Sequence, residues 1–113
     1  MLIKSYELGN ILDNLFQNSI RFMKNSDNKY IKIDIYKESP KIIINFSNTG
    51  SSISKDKWKL IFEQGYSESS STGQGLFSAK ETLKKYGGRI FVTNSDMNLT
   101  TFKIELNEGV IAV

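Results

Sequence analysis

Within the first 36 residues the hydrophobic period changes once, and that change limits the fold more than any other feature of the chain. Leu8, Ile11, Leu12, Leu15, Phe16, Ile20 and Met23 recur mainly at spacings of three and four, the pattern of an amphipathic helix over Ser5 to Met23. The turn cluster Asn25-Ser26-Asp27-Asn28 stops it. From Tyr30 to Tyr36 the period drops to two. Ile31, Ile33 and Ile35 face one way, and Lys32 and Asp34 the other, which predicts a half-buried strand. Glu38-Ser39-Pro40 turns the chain, and isoleucine-rich Lys41 to Ser47 is the expected hairpin partner.

The remaining elements follow from similar signals. Ser54 is a candidate N-cap for one or two helical turns over Lys55 to Phe62. Gln64 to Gly73 is rich in serine and glycine and reads as a mobile, lid-like loop. Gln74 to Tyr86 is a second long helix, closed by Gly87-Gly88. Arg89 to Thr93 and Thr100 to Leu106 are two further strands, and the tail from 107 to 113 is expected to fray. Helices on one face of a mixed sheet make an α/β (α+β) two-layer sandwich. A chain of 113 residues supports one such domain.

Composition excludes several kinds of chemistry. There is no cysteine and no histidine. Thiolate chemistry, the usual general base and an internal phosphohistidine are therefore ruled out. No apolar run approaches the ~20 residues that a membrane helix needs, so no direct membrane contact is expected of this domain. The net charge of +3 is modest and its lysines are interspersed with acids. A concentrated basic patch for nucleic acid is lacking.

Three polar groupings stand out against this background. Asn14, Asn18 and Arg21 fall on one helical stripe. Amide oxygens are hard ligands suited to Mg²⁺, and Arg21 adds a fixed positive charge for phosphate. A plain solvated helix face accounts for the same residues. Asn48-Thr49-Gly50 ends a strand. Ser71-Thr72-Gly73-Gln74-Gly75-Leu76 opens a helix with two glycines, letting backbone N–H groups approach an anion. The three together suggest a nucleotide pocket.

These segments resemble, in order and spacing, the conserved boxes of sensor histidine kinases. Residues 7 to 22 resemble their asparagine box, and residues 48 to 53 the first glycine box. Residues 58 to 67 resemble the phenylalanine box, residues 71 to 76 the second glycine box, and residues 100 to 102 the closing strand. The resemblance covers about residues 5 to 106. It implies the Bergerat ATP-binding fold and binding of ATP with Mg²⁺. Asn18, with Asn14 one turn earlier, would hold the metal. Arg21 would contact phosphate, and Phe22 would cover the adenine. Asn48 would accept a hydrogen bond from the adenine amine, beside Gly50 and Ile53. Gly73, Gly75 and Leu76 would hold the phosphates, and Thr100 would reach the adenine through water.

The chain departs from the pattern at several positions. Asn48 stands where the family prefers aspartate, so Asn48→Asp is expected to tighten ATP binding. Ser52 and Ser71 replace glycines, and Ser67 replaces a basic residue. Asn14 stands where related ATPases carry a glutamate that activates water. The resemblance thus implies a histidine kinase catalytic domain that hydrolyses ATP poorly and is inactive alone. No catalytic residue lies in the chain, because the phosphoacceptor histidine is absent. It would come from a dimerisation domain of the same parent, with a response regulator downstream. The domain would be the cytoplasmic fragment of a membrane-anchored sensor, of Agr-type or citrate-type affinity. An anti-sigma-factor-type serine kinase and a non-catalytic interaction domain with a degraded pocket are the alternatives.

Overall fold

A computed structural model describes residues 2–66, 74–96 and 99–111. Helix α1 runs over Ser5–Met23, as its periodicity requires. Strands β1 (Ile31–Glu38) and β2 (Lys41–Asn48) form a regular antiparallel hairpin. Two 3₁₀ turns, Lys55–Lys57 and Leu60–Phe62, follow. Helix α2 spans Gln74–Lys85, and strands β3 (Arg89–Ser95) and β4 (Thr100–Asn107) complete the sheet.

The sheet order is β1-β2-β4-β3 and every pairing is antiparallel. The expected mixed sheet is corrected on this point. Each hairpin is antiparallel by construction, and β2 and β4 also join antiparallel, with Phe46 opposite Phe102. The two-layer sandwich itself stands. Ile44, Phe46, Ile90, Val92, Phe102, Ile104 and Leu106 point to one face of the sheet. There they join Ile11 and Leu15 of α1 and Ala79 and Leu83 of α2 in a single core. Leu15, Phe46, Leu83 and Ile104 have no exposure; burying each such side chain is worth about 1.5–3 kcal/mol.

Strand β1 departs from the half-buried strand its alternation predicts. Ile33 is 39% exposed and Ile35 65%, although both lie on the core side of the sheet, opposite Phe46 and Ile44. The strand is outermost, so the core layer ends at its inner neighbour β2.

The second helix ends as its sequence indicates. Gly87 takes φ +75°, and the Gly88 N–H donates to the Leu83 carbonyl at 2.8 Å. The tail is corrected for residues 107–111. A 3₁₀ turn forms over Glu108–Val110, Val110 and Ile111 pack on the core, and the Ile3 N–H donates to the Val110 carbonyl at 2.9 Å. Apolar contact and a backbone bond hold this segment down.

Glu7 ties the two helices together. Its carboxylate accepts from the Lys4 N–H at the start of α1 (3.2 Å), from Lys85 Nζ at the end of α2 (2.7 Å), and from the Tyr86 hydroxyl. The Lys85 bond, then the Tyr86 bond, hold its pKa down to about 2.

Candidate nucleotide-binding site

Helix α1 supplies a line of side chains one turn apart: Asn10, Asn14, Asn18 and Phe22. From Asn14 to Phe22 this line spans about 12 Å of helix axis. Asn18 is buried. Its amide oxygen accepts from Arg21 Nη2 at 2.8 Å, and its Nδ2 is a buried polar atom with no partner among the described residues. The amide oxygen is a hard ligand of the kind Mg²⁺ takes once Arg21 turns away, and the orphaned Nδ2 beside it is a donor open to an acceptor such as a phosphate oxygen. The residues therefore fit Mg²⁺ held by few protein groups.

Asn14 lies against the first turn of α2. A β-carbon on Gly75 would sit 3.5 Å from the Asn14 amide oxygen, so the asparagine stripe and the second glycine segment meet. Leu76 is half-buried against the core. Gly73, Ser71 and Ser67 lie outside the described residues, as does most of the expected lid. Between α1 and α2 a cleft of about 390 Å³ is lined by Asn10, Asp13, Asn14, Ser78, Ala79 and Thr82, among others. It extends the asparagine line by one turn, away from Phe22. Asn10, Ser78 and Thr82 were not singled out by sequence; the signal was available in two facing helices that each repeat a small polar residue at i, i+4.

At the other end, Gly50 explains how β2 reaches α1. It has φ +114°, and a β-carbon there would stand 2.2 Å from the Phe22 carbonyl oxygen. The Ser51 N–H donates to that same oxygen at 3.0 Å. Only glycine fits, so the loop after β2 seats directly on the end of α1. The sequence reading gave Gly50 the task of admitting a base; its demonstrable task is this backbone contact. Phe22 is half-buried beside it.

Asn48 is fully buried, and both ends of its amide are engaged. The Ser19 hydroxyl donates to its Oδ1 at 3.1 Å, and its Nδ2 donates to the Thr49 carbonyl at 2.8 Å. Thr100 is also buried, with its hydroxyl 2.7 Å from Ser95 Oγ. Ser95 Oγ in turn accepts from the Ile53 N–H at 2.7 Å. An irregularity between Val92 and Asn94 makes this possible. The extra residue, Thr93, turns Ser95 onto the face that Thr100 occupies. Sequence gave no sign of that bulge. Trp58 and Phe62 are core anchors: Trp58 Nε1 donates to the Ile53 carbonyl at 2.9 Å, and Phe62 meets Phe102 edge-on at 6.1 Å. Leu60, between them, is the neighbour left exposed. Ser54 stands at an N-cap position but makes no side-chain cap bond.

Among the described residues no group of three or more acidic, histidine or cysteine side chains could hold a metal, and no helix is long and apolar enough to cross a membrane.

Comparison with known proteins agrees with this geometry. Residues 4–110 match the family described as histidine kinase-, DNA gyrase B-, and HSP90-like ATPase. The sensor protein VanS of Enterococcus faecium is 36% identical over 107 residues, covering 88% of this chain and 27% of VanS. The sensor protein CitS of Bacillus subtilis is 28% identical over 95 residues, covering 83% of this chain and 18% of CitS. The chain thus spans about a quarter or less of the length of these relatives. The catalytic domain of histidine kinase ThkA superposes with a TM-score of 0.80 at 25% identity, over 91% of this chain and 67% of that one.

Proposed function

The chain belongs to the histidine kinase-, DNA gyrase B- and HSP90-like ATPase family, and from that premise we propose that it binds Mg²⁺–ATP along α1 and donates the γ-phosphoryl group to a histidine on a separate dimerisation domain. The observation that carries this reading is the α1 stripe itself, with Arg21 bonded to Asn18 and Asn14 against Gly75 at the start of α2.

The amide oxygens of Asn18 and Asn14 hold the cation. A bound Mg²⁺ supplies charge neutralisation at the triphosphate oxygens. Arg21, bonded to the Asn18 amide oxygen, turns to the phosphates. Gly73, Gly75 and the Leu76 N–H cradle them at the helix start. Phe22 and Ile53 border the base, beside Gly50. Asn48 keeps one lone pair of Oδ1 for the adenine amine, and Thr100 contacts the base through water.

Phosphoryl transfer depends chiefly on positioning and charge stabilisation, which this site supplies once a nucleophile docks. The chain has no histidine to phosphorylate, and Asn14 cannot take a proton from water. Alone, it is expected neither to autophosphorylate nor to hydrolyse ATP quickly. Incubation with labelled ATP and the histidine-bearing segment of its parent should give acid-labile phosphohistidine on that segment. Phosphoserine on a partner, or fast ATP turnover by the lone chain, would contradict the proposal. A response regulator would take the phosphoryl group next.

A further inference from the structure

We infer that β1 is a self-complementary edge through which two copies of this chain pair into a symmetric dimer. The strand is outermost in the sheet, and seven of its eight residues are exposed. It pairs with β2 from Ile31 to Glu38 without any register shift. Proline, a bulge or charges of one sign would protect such an edge; over Ile31–Glu38 β1 carries no proline and no bulge, and its charges, Lys32, Asp34, Lys37 and Glu38, are of both signs. The other edge strand, β3, does carry a bulge.

The backbone orientation fixes which residues a partner meets. The Thr49 N–H donates to the Tyr30 carbonyl at 3.2 Å, so the backbone groups of Tyr30 face β2. By alternation, Ile31, Ile33 and Ile35 direct their N–H and carbonyl groups outward. An antiparallel partner must then pair outward residues with outward residues.

From Tyr30 to Tyr36 the sequence reads Tyr-Ile-Lys-Ile-Asp-Ile-Tyr. It is a palindrome about Ile33, except that Lys32 and Asp34 are mirror positions of opposite charge. Two antiparallel copies centred on Ile33 set Lys32 of each opposite Asp34 of the other. Ile31 meets Ile35, and Tyr30 meets Tyr36. Moving the axis one residue either way sets Lys32 against Lys32 or Asp34 against Asp34, which is unfavourable. Charge therefore selects one register and one occupant, a second copy.

The side chains on the core side point the same way. Ile33 lies opposite Phe46 in the hairpin, and the Phe46 ring meets Phe16, 37% exposed, edge-on at 5.0 Å; Ile20, one turn later on α1, is 57% exposed. Pairing brings the two exposed apolar strips together and continues the sheet to eight strands.

The test is light scattering on the 113-residue chain across a concentration series, with circular dichroism as the check on folding. The wild type should pass from monomer to dimer as concentration rises. Asp34→Lys places like charges at both mirror positions and should raise the dissociation constant roughly tenfold or more. Adding Lys32→Asp restores opposite charges and should restore the dimer. Ile33→Pro removes a central outward N–H and should give a folded monomer. A wild type that stays monomeric at millimolar concentration leaves the edge to some other segment and overturns the inference. So does a dimer indifferent to Asp34→Lys, or a double variant as weak as the single one.

Discussion

Ser19 and Asn48 show how a single residue's surroundings can add a stability cost that a sequence-based expectation leaves out. On family pattern alone, Asn48→Asp restores a charged acceptor for adenine. In the folded chain Asn48 has no exposure, and its Nδ2 donates to the Thr49 carbonyl. An ionised aspartate cannot make that donation and would face the carbonyl without water. Asn48→Asp is therefore expected to destabilise the fold by about 1–3 kcal/mol, read as a lower midpoint in urea. A variant as stable as wild type that binds ATP more tightly would show that the Thr49 contact is dispensable. Ser19→Ala should cost a similar amount, about 1–3 kcal/mol, by leaving Asn48 Oδ1 without its donor. The position of Ser19 was legible in principle. It falls on the buried stripe Ile11, Leu15, Ser19, Met23, and a polar residue on an apolar stripe needs a partner. Nothing in the sequence named Asn48 as that partner, since the two are 29 residues apart.

At the scale of elements, the link between helices is electrostatic as well as apolar. Glu7 has a folded pKa of about 2 against an ordinary 4.5, first through Lys85 and then through Tyr86. A depressed carboxylate pKa means stability that is present above the unfolded value and is lost as pH falls through the folded one. Glu7 thus contributes fully above about pH 4.5 and progressively less down to about pH 2. Glu105, held below its ordinary value by Arg89, acts in the same direction. Glu7→Gln should flatten the stability profile between those pH values, measured by denaturant midpoints at several pH. An unchanged acid slope would mean that Glu7 is not the titrating link. Helix boundaries were readable because apolar spacing and the Gly87-Gly88 stop are local signals. The exposure of β1 and the bulge at Thr93 were not, because both depend on which strand sits next to which.

For the whole molecule, the two-layer sandwich with both helices on one face was legible from periodicity, whereas the antiparallel joining of β2 to β4 was not. That pairing spans some fifty residues of intervening chain, and no local pattern encodes it. The candidate site was legible as a set of segments. Asn14 does meet Gly75 and Asn18 does meet Arg21, while the engagement of Asn48 and Thr100 by Ser19 and Ser95 came only from the fold. The central claim is that Asn18 holds the cation of Mg²⁺–ATP. The most direct test is calorimetric titration of ATP into wild type and Asn18→Ala, each with Mg²⁺ and with a chelator. Wild type should bind more tightly with Mg²⁺, and Asn18→Ala should lose most of that gain while keeping its affinity in chelator. Equal losses in both conditions, or wild-type binding indifferent to Mg²⁺, would contradict it.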